Sequence, residues 1–194
     1  MARPRAFDRS KAVQQAMDVF WQQGYEAASV QVLGAAMGLN PGSLYNAFTD
    51  KHTLFVEALR CYQDREYQVA CDLFAGPVTG YAAIRRFFLF VVDHDSRDPS
   101  HKGCLMVNTA AELADRDPQV QGLVAASRAQ MVALFRAAIV QAQQAGEIAA
   151  ERDPETLAAF LVNSLFGLRL TAKILHDRPS LLAIVDATLA ALST

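Results

Sequence analysis

The stretch "GLNPGSLYNAFTDK", residues 38–51, decides the fold prediction. Gly38 ends one short helix, and Asn40-Pro41 begins the next, because Asn is a favoured N-cap and Pro is tolerated at the first helical position. Thr49-Asp50 marks a further helix start, so the helix between these two signals has only about two turns. Such a short helix adds little to a core, and its small outer side chains therefore indicate contact with another molecule.

The segments before this stretch complete a small helical domain. Ser29 is an N-cap candidate for the helix that Gly38 ends. A longer helix precedes it, starting at Asp8 or Ser10 and ending at Gly24, where a left-handed C-cap is expected. Apolar residues recur along that helix at three- and four-residue spacing, as one face of a packed helix requires. This order predicts a helix-turn-helix inside a three-helix domain.

The rest of the chain also has helical periodicity. Asp50 is expected to cap a fourth, connecting helix over residues 51–75, and five more helical segments follow it. Ala, Leu, Val and Gln are abundant, which favours helices over strands. We therefore predict an all-α chain of about nine helices. A DNA-binding domain over residues 1–50 is followed by a helical bundle, residues 51–194, for effector binding and dimerisation.

Composition and charge restrict the class of protein. The chain has 194 residues, is 52% hydrophobic and carries a net charge of -2, so it is not a basic nucleic-acid binder as a whole. Its first eleven residues, however, hold Arg3, Arg5, Arg9 and Lys11 against Asp8 alone, which suits a local DNA contact.

The sequence indicates a protein of the cytoplasm. No apolar run comes near the roughly 18 residues of a membrane span, and the N-terminus lacks the apolar segment of a secretory signal. The three cysteines lack metal-binding spacing and fit free thiols in a reducing compartment. We expect no membrane partner, no metal and no cofactor.

The short helix has the side chains that reading of a major groove requires. Short residues at its N-terminal end let the backbone approach the bases, Asn46 can bond an adenine edge, and Tyr45 and Lys51 can contact phosphates. The start of the preceding helix can bind another phosphate, and the N-terminal arginines can enter the minor groove. The predicted DNA-binding residues are Arg3, Arg5, Ser29, Val30, Gln31, Pro41, Gly42, Ser43, Tyr45, Asn46 and Lys51. Alternatively, Ser29 is only a cap, Tyr45 packs on the first helix, Lys51 is a surface charge, and the basic N-terminus is a tail.

Residues 18–55 resemble the DNA-binding domain of TetR-type transcriptional regulators. The resemblance is carried by Phe20, Gly24-Tyr25, Ser29-Val30, Leu33, Gly38-Leu39, Gly42-Ser43-Leu44-Tyr45, Phe48, Asp50-Lys51 and Leu54. It implies about nine helices, a homodimer and an effector pocket in the larger domain. It also implies that the positions where family members touch DNA are Ser29, Gln31, Pro41, Gly42, Tyr45, Asn46 and Lys51.

The eighth and last helices are apolar on more than one face, which predicts burial on two faces and a two-fold dimer with a four-helix interface. The predicted interface residues are Leu157, Leu161, Leu165, Leu168, Leu182, Val185 and Leu189. The alternative is a thick core within one chain.

Aromatic and polar residues of the fifth to eighth helices predict an apolar effector pocket. The candidate lining residues are Phe87, Phe90, His94, Cys104, Asn108, Met131, Phe135, Phe160 and Asn163. Plain core packing is the alternative for the aromatic residues.

Cys104 is a candidate sensor because it starts a helix beside His101 and Lys102, where a thiolate would be stabilised. Some TetR-type regulators with a similar Gly-Cys-Leu segment are thiol-based sensors, and Lys173 is a speculative partner. An inert buried cysteine is the alternative.

Three functions follow from these patterns. The first is a ligand- or electrophile-responsive repressor that leaves a palindromic operator when a small apolar or electrophilic effector binds. The second is an activator with the same DNA-binding domain. The third is a helical enzyme or carrier, which lacks support because no nucleophile–base set, phosphate loop or metal spacing is present. We predict that the protein is not an enzyme.

Overall fold

A computed structural model describes residues 8–192 of the chain, and this part consists of nine α-helices joined by turns, without strands. The prediction of an all-α fold with about nine helices is confirmed. The helices are α1 Arg9–Gln23, α2 Val30–Met37, α3 Pro41–Phe48, α4 Lys51–Phe74, α5 Gly80–Arg97, α6 Leu105–Leu113, α7 Pro118–Gln144, α8 Pro154–Ala172 and α9 Arg178–Ala190.

Short polar side chains begin most of these helices. Asp8 caps α1 by accepting a hydrogen bond from the backbone N–H of Lys11 at 3.1 Å, which decides between the two predicted caps. Asp117, Asp153 and Asp177 cap α7, α8 and α9 in the same way. These bonds satisfy donors that the first turn of a helix leaves without partners.

The chain divides into two compact units between Asp64 and Arg65, inside α4. This division lies further along the chain than the predicted boundary after residue 50. The reason is that the first half of α4 belongs to the core of the first unit. Leu59 and Tyr62 are buried there, and the Tyr62 ring lies 4.9 Å from that of Trp21.

The turn between α2 and α3 is tight because of two glycines. Gly38 ends α2 in the left-handed conformation at φ 66°. At Gly34 a Cβ atom would come within 2.7 Å of the Leu39 carbonyl oxygen, so only glycine fits there. This close approach brings α3 against α2. The end of α1 differs from its prediction, because Gly24 has φ 80° and ψ 174°, outside the left-handed helical region.

The second unit is a bundle in which α7 packs on α5 and α8, while α9 packs on α5 and α8. Its core contains Ile84, Phe135, Ile139, Leu161 and Val185, all buried. Among the described residues, α7 is the one helix that is long and apolar enough on average to cross a membrane, although polar residues such as Arg128 and Gln130 interrupt it. In this fold, Phe135 and Ile139 of α7 lie in the core of the bundle.

Candidate DNA-binding site and effector-domain residues

Helices α2 and α3 form a helix-turn-helix whose caps are made by the predicted residues. The Ser29 hydroxyl accepts a hydrogen bond from the Val32 N–H at 3.2 Å. The Asn40 side chain accepts one from the Ser43 N–H at 2.8 Å. Ser29 is therefore an N-cap, and it is half-buried together with Val30, while Gln31 is exposed. A capping role leaves the other lone pair of the hydroxyl for a second bond.

Helix α3 has two distinct faces. Leu44 and Phe48 are fully buried and hold the helix to the first unit. Tyr45 is 48% exposed, and Asn46 and Gly42 are exposed beside it. Pro41 is also exposed and Ser43 is half-buried. The structure thus brings the predicted base-reading residues together on one solvent-facing side of a short helix.

Gly42 is not required by the protein's own packing. A Cβ added there would meet only the Asn40 side-chain oxygen, at 3.5 Å, which is ordinary contact. Its φ is not in the left-handed region either. A glycine in a helix costs stability relative to alanine. An external molecule that needs close approach to the backbone gives a physical reason for glycine here.

Lys51 lies at the start of α4, beside α3. Its ammonium is 4.4 Å from the centre of the Tyr25 ring and 3.4 Å from the Glu26 carbonyl oxygen. Tyr25 was expected only as part of the family pattern, which did not predict its cation–π contact with Lys51. A cation–π contact stabilises the charge, which explains why a cation is tolerated where the helix dipole disfavours it.

Asp50 is the residue before α4. Its carboxylate accepts a hydrogen bond from the Thr53 N–H at 2.7 Å. Hydrogen bonds from Thr53 lower the pKa of Asp50 below its ordinary value. Asp50 is therefore ionised at neutral pH, where its carboxylate caps α4. The two remaining DNA-binding candidates, Arg3 and Arg5, lie outside the described residues.

Two of the predicted pocket residues, Phe87 and Phe135, lie in an aromatic cluster of the second unit. Phe87 and Phe135 pack edge to face with ring centres 5.6 Å apart, and Phe74 lies tilted against Phe87 and edge to face with Phe135. Both predicted lining residues are buried in this aromatic cluster. Both belong to the core of the second unit, as the alternative interpretation expected, and their part in an effector pocket stays a prediction.

The other pocket candidates are dispersed. Phe90 and Met131 are half-buried and pack on the core. His94 is exposed and stacks on Phe90 at 5.8 Å. Phe160 is 40% exposed and Asn163 is exposed on the outer side of α8, so neither lines an interior cavity.

Cys104 and Asn108 lie together at the start of α6. Cys104 is the N-cap residue, 8% exposed, and makes no side-chain capping bond. The Asn108 amide donates to the Lys102 carbonyl at 2.9 Å, and the Lys173 ammonium donates to the Asn108 oxygen at 3.2 Å. Gly103, at φ 65°, lies under the Lys173 side chain. These contacts join the loop before α6 to the end of α8.

Most of the predicted dimer residues lie inside the single chain. Six of the seven are in its buried core: Leu157, Leu161, Leu165, Leu168, Val185 and Leu189. They have little surface to offer a second chain, and only Leu182 is half-buried. The outer side of α8 instead exposes Phe160, Asn163, Gly167 and Leu170.

A buried ion cluster in the second unit was not found from the sequence. Arg169 of α8 lies 3.3 Å from the Glu66 carboxylate of α4 and 3.8 Å from the Asp95 carboxylate of α5. Burial raises the pKa of Asp95, and the Arg169 charge partly opposes this. The three residues come from distant parts of the chain, so local periodicity could not show that they meet.

Comparisons with known proteins agree with this architecture. Residues 12–58 match the family model for bacterial regulatory proteins of the tetR family, and residues 80–188 match that for the Tetracyclin repressor-like C-terminal domain. The HTH-type transcriptional repressor ComR of Escherichia coli is 30% identical over 96% of this chain and 90% of its own. An uncharacterized HTH-type transcriptional regulator, YezE of Bacillus subtilis, is 30% identical over 99% of this chain and its whole length.

Solved structures give the same result. A cysteine mutant of the TetR family regulator CifR, complexed with a 26-base-pair operator DNA, superposes with a TM-score of 0.87 and 37% identity. The superposition covers 98% of this chain and 100% of the CifR chain. Reduced NemR of E. coli has the same fold, with a TM-score of 0.83 at 19% identity, over 95% of this chain and 94% of its own. Homodimers are typical of this family. The chain belongs to the TetR family of DNA-binding transcriptional regulators, which are not enzymes.

Proposed function

We propose that this regulator is a repressor that binds a palindromic operator as a homodimer and leaves it when a small apolar or electrophilic effector reacts or binds. The observation that carries the proposal is the exposed side of α3, where Gly42, Tyr45 and Asn46 lie together with no packing role for Gly42. Repression is preferred to activation because the full-length relative ComR is named a repressor. Action in the cytoplasm follows from the DNA partner.

The DNA-binding part of the proposal assigns two kinds of contact. The exposed tip of α3 enters the major groove, where Asn46 bonds a base edge and Gly42 lets the backbone come close. Tyr45 and Lys51 contact phosphates at the flank, and the capped start of α2 at Ser29 contacts another. The phosphate contacts fix the position, while the α3 residues supply the sequence preference.

The dimer part of the proposal uses the outer sides of α8 and α9. Phe160, Gly167 and Leu170 are exposed at helical spacing along α8, and Ile174 is exposed in the turn that follows it. On α9 the exposed positions Ala183, Ala187 and Ala190 are small. Exposed apolar residues beside small ones allow two copies of each helix to approach closely in a four-helix interface. A two-fold dimer would place the two α3 helices about 34 Å apart, one turn of DNA.

The effector part of the proposal concerns Cys104. Its sulfur would add to the electrophilic carbon of an unsaturated carbonyl compound, and the thiol proton would finally reside on the neighbouring carbon. An adduct adds bulk at a residue that is only 8% exposed. The start of α6 would then shift against α8, because Asn108 and Lys173 join the two. Such a shift favours a dimer whose α3 spacing no longer fits the groove.

Selection from a randomised DNA library, followed by mobility shift, tests the proposal. We expect enrichment of a palindromic sequence, retarded as one complex of two chains with one duplex. N-ethylmaleimide should release the wild-type protein from this duplex but not the Cys104→Ser variant. Cys61→Ser is the matched control, since this half-buried thiol lies on α4, and it should behave as wild type. Absence of enrichment would overturn DNA reading, whereas equal release of Cys104→Ser would overturn only the role of Cys104.

A further inference from the structure

Arg9, the first residue of α1, makes four contacts within the first unit. Its Nε and Nη2 atoms donate to the two carboxylate oxygens of Glu57 on α4, at 3.2 and 2.5 Å. Its Nη1 atom donates to the Ala47 carbonyl oxygen at 2.5 Å. The guanidinium carbon also lies 4.4 Å from the centre of the Phe48 ring. One side chain thus ties the last turn of α3 to both α1 and α4.

The contact with Ala47 answers a specific need of α3. The last carbonyl groups of a helix have no partners within the helix, and a cation is favourable at its C-terminal end. Helix α3 has only eight residues. Helices of that length are not stable alone and take their geometry from tertiary contacts. The Thr49 N–H closes the last turn of α3 on the Tyr45 carbonyl at 2.8 Å, and Arg9 holds the neighbouring Ala47 carbonyl from outside the helix.

Arg9 contacts the C-terminal end of α3, away from the N-terminal tip of that helix. Phe48 and Leu44 hold α3 to the first unit from one side, and Gly42, Tyr45 and Asn46 are exposed on the other. Arg9 stacks on Phe48 and bonds the Ala47 carbonyl, so it acts on the end opposite to the N-terminal tip that carries Gly42. A bond there fixes the tilt of α3 without occupying its exposed face.

We propose that Arg9 is a positioning residue for operator recognition. Its guanidinium sets the angle at which α3 enters the groove, and it is not one of the phosphate contacts that its place in a basic N-terminal segment indicates. Base readout needs side chains held to within about 0.5 Å, whereas phosphate contacts are tolerant. Loss of Arg9 should therefore reduce preference among DNA sequences more than it reduces binding to DNA in general.

Lysine cannot replace arginine in this role. A planar guanidinium donates to the carboxylate, donates to the carbonyl and stacks on the ring at the same time, and an ammonium cannot match this geometry. The side chain of Arg9 is 48% exposed, so its charge attraction to Glu57 contributes little on its own. The geometry of the contacts, rather than the charge, carries the effect. Arg9→Lys therefore separates positioning from charge.

The test compares the palindromic duplex enriched from the library with a shuffled duplex of the same length and composition, at a temperature well below unfolding. Arg9→Lys and Arg9→Gln should each bind the enriched duplex about tenfold or more weakly, the cost of one or two mismatched base pairs. Both should bind the shuffled duplex within about twofold of wild type, with the same dependence on salt. Arg60→Gln is the matched control. Arg60 is exposed and lines, together with Arg9 and Glu57, a surface groove of about 420 Å³. This variant should retain the full preference for the enriched duplex.

Two results would overturn the inference. In the first, Arg9→Lys binds like wild type, and Arg9→Gln loses equal affinity for both duplexes with a shallower salt dependence, which identifies Arg9 as a phosphate contact. In the second, both variants retain the wild-type preference, which leaves Arg9 with a role in stability only. The inference rests on the proposed use of α3. If wild-type protein enriches no sequence, the proposed function fails and the inference with it, whereas loss of preference in the Arg9 variants alone supports the inference.

Discussion

The ammonium of Lys51 lies 4.4 Å from the centre of the Tyr25 ring, and both residues belong to the first unit. A charged side chain on a flexible stem loses conformational entropy when it binds a phosphate. An aromatic ring that already holds the ammonium reduces this loss. We therefore propose that Tyr25 orients Lys51 for a contact with a DNA phosphate.

We predict that Tyr25→Leu weakens binding to enriched and shuffled duplexes alike, by about twofold to fivefold, the equivalent of a cation–π contact of about 0.5–1 kcal/mol. Tyr25→Phe keeps the ring and should bind as wild type. Lys51→Gln should reduce the slope of log affinity against log salt by about 1. Titrations by fluorescence anisotropy at several salt concentrations measure all three, and a Tyr25→Leu protein with wild-type affinity would contradict the idea.

The helix boundaries could be predicted because their signals are local. Asn40-Pro41, Asp153-Pro154 and Gly38 mark ends of helices by their own chemistry, and the structure places the ends there. The exposed tip of α3 follows from the same signals. Sequence patterns alone thus located the proposed reading surface.

Apolar periodicity could not show what covers each face of a helix. Leu161 and Leu165 were predicted to meet a second chain, yet they lie in the core, while Gly167 and Leu170 are exposed. A stripe of leucines indicates burial but does not identify the partner. Phe135, predicted to line a pocket, is likewise a residue of the core.

Charged contacts between distant segments were also beyond local patterns. Arg9 and Glu57 are 48 residues apart, and Arg169 and Glu66 are 103 residues apart. From the sequence alone, a charged residue is interpreted as a solvated surface group. Only the fold shows whether an oppositely charged side chain lies beside it. Only the three-dimensional arrangement shows that these arginines are structural.

The buried ion cluster should make the second unit sensitive to loss of Arg169. Arg169→Met leaves Asp95 buried without its counter-charge, which costs about 3–5 kcal/mol of unfolding free energy at neutral pH. Because burial raises the pKa of Asp95, the folded protein holds this proton more tightly than the unfolded chain does. The stability difference from wild type should therefore shrink as the pH falls towards the pKa of the buried acid.

Urea unfolding at neutral and mildly acidic pH measures this effect. The double variant Arg169→Met with Asp95→Asn is the control, because it has no carboxylate to titrate at position 95. The unfolding free energy of this double variant should be closer to that of wild type at neutral pH than the single variant's is. Its own pH dependence should lack the Asp95 component. A single variant whose deficit is the same at every pH would show that Asp95 is not the group responsible.

The outer side of α8 should be the dimer surface. Leu170 is 50% exposed there. Leu170→Glu places a carboxylate in an apolar interface, where burial of an unpaired charge is strongly unfavourable, so we expect monomers at micromolar concentration in sedimentation velocity. Ala125→Glu, at an exposed position of α7, should stay dimeric. Dimers of unchanged affinity in the Leu170 variant would place the interface elsewhere.

The central claim is that the bare tip of α3 enters the major groove of DNA, and one substitution tests it most directly. Gly42→Ala has room in the protein and should raise the free energy of unfolding by up to about 0.5–1 kcal/mol, since alanine is the better helix former. Gly122→Ala on α7, where an added Cβ meets nothing within 4 Å, is the matched control for stability. The decisive measurement is the affinity of each variant for the enriched duplex. We predict that Gly42→Ala is as stable as wild type or more stable yet binds at least tenfold more weakly, while Gly122→Ala binds normally. A stable Gly42→Ala protein with wild-type affinity would contradict the claim.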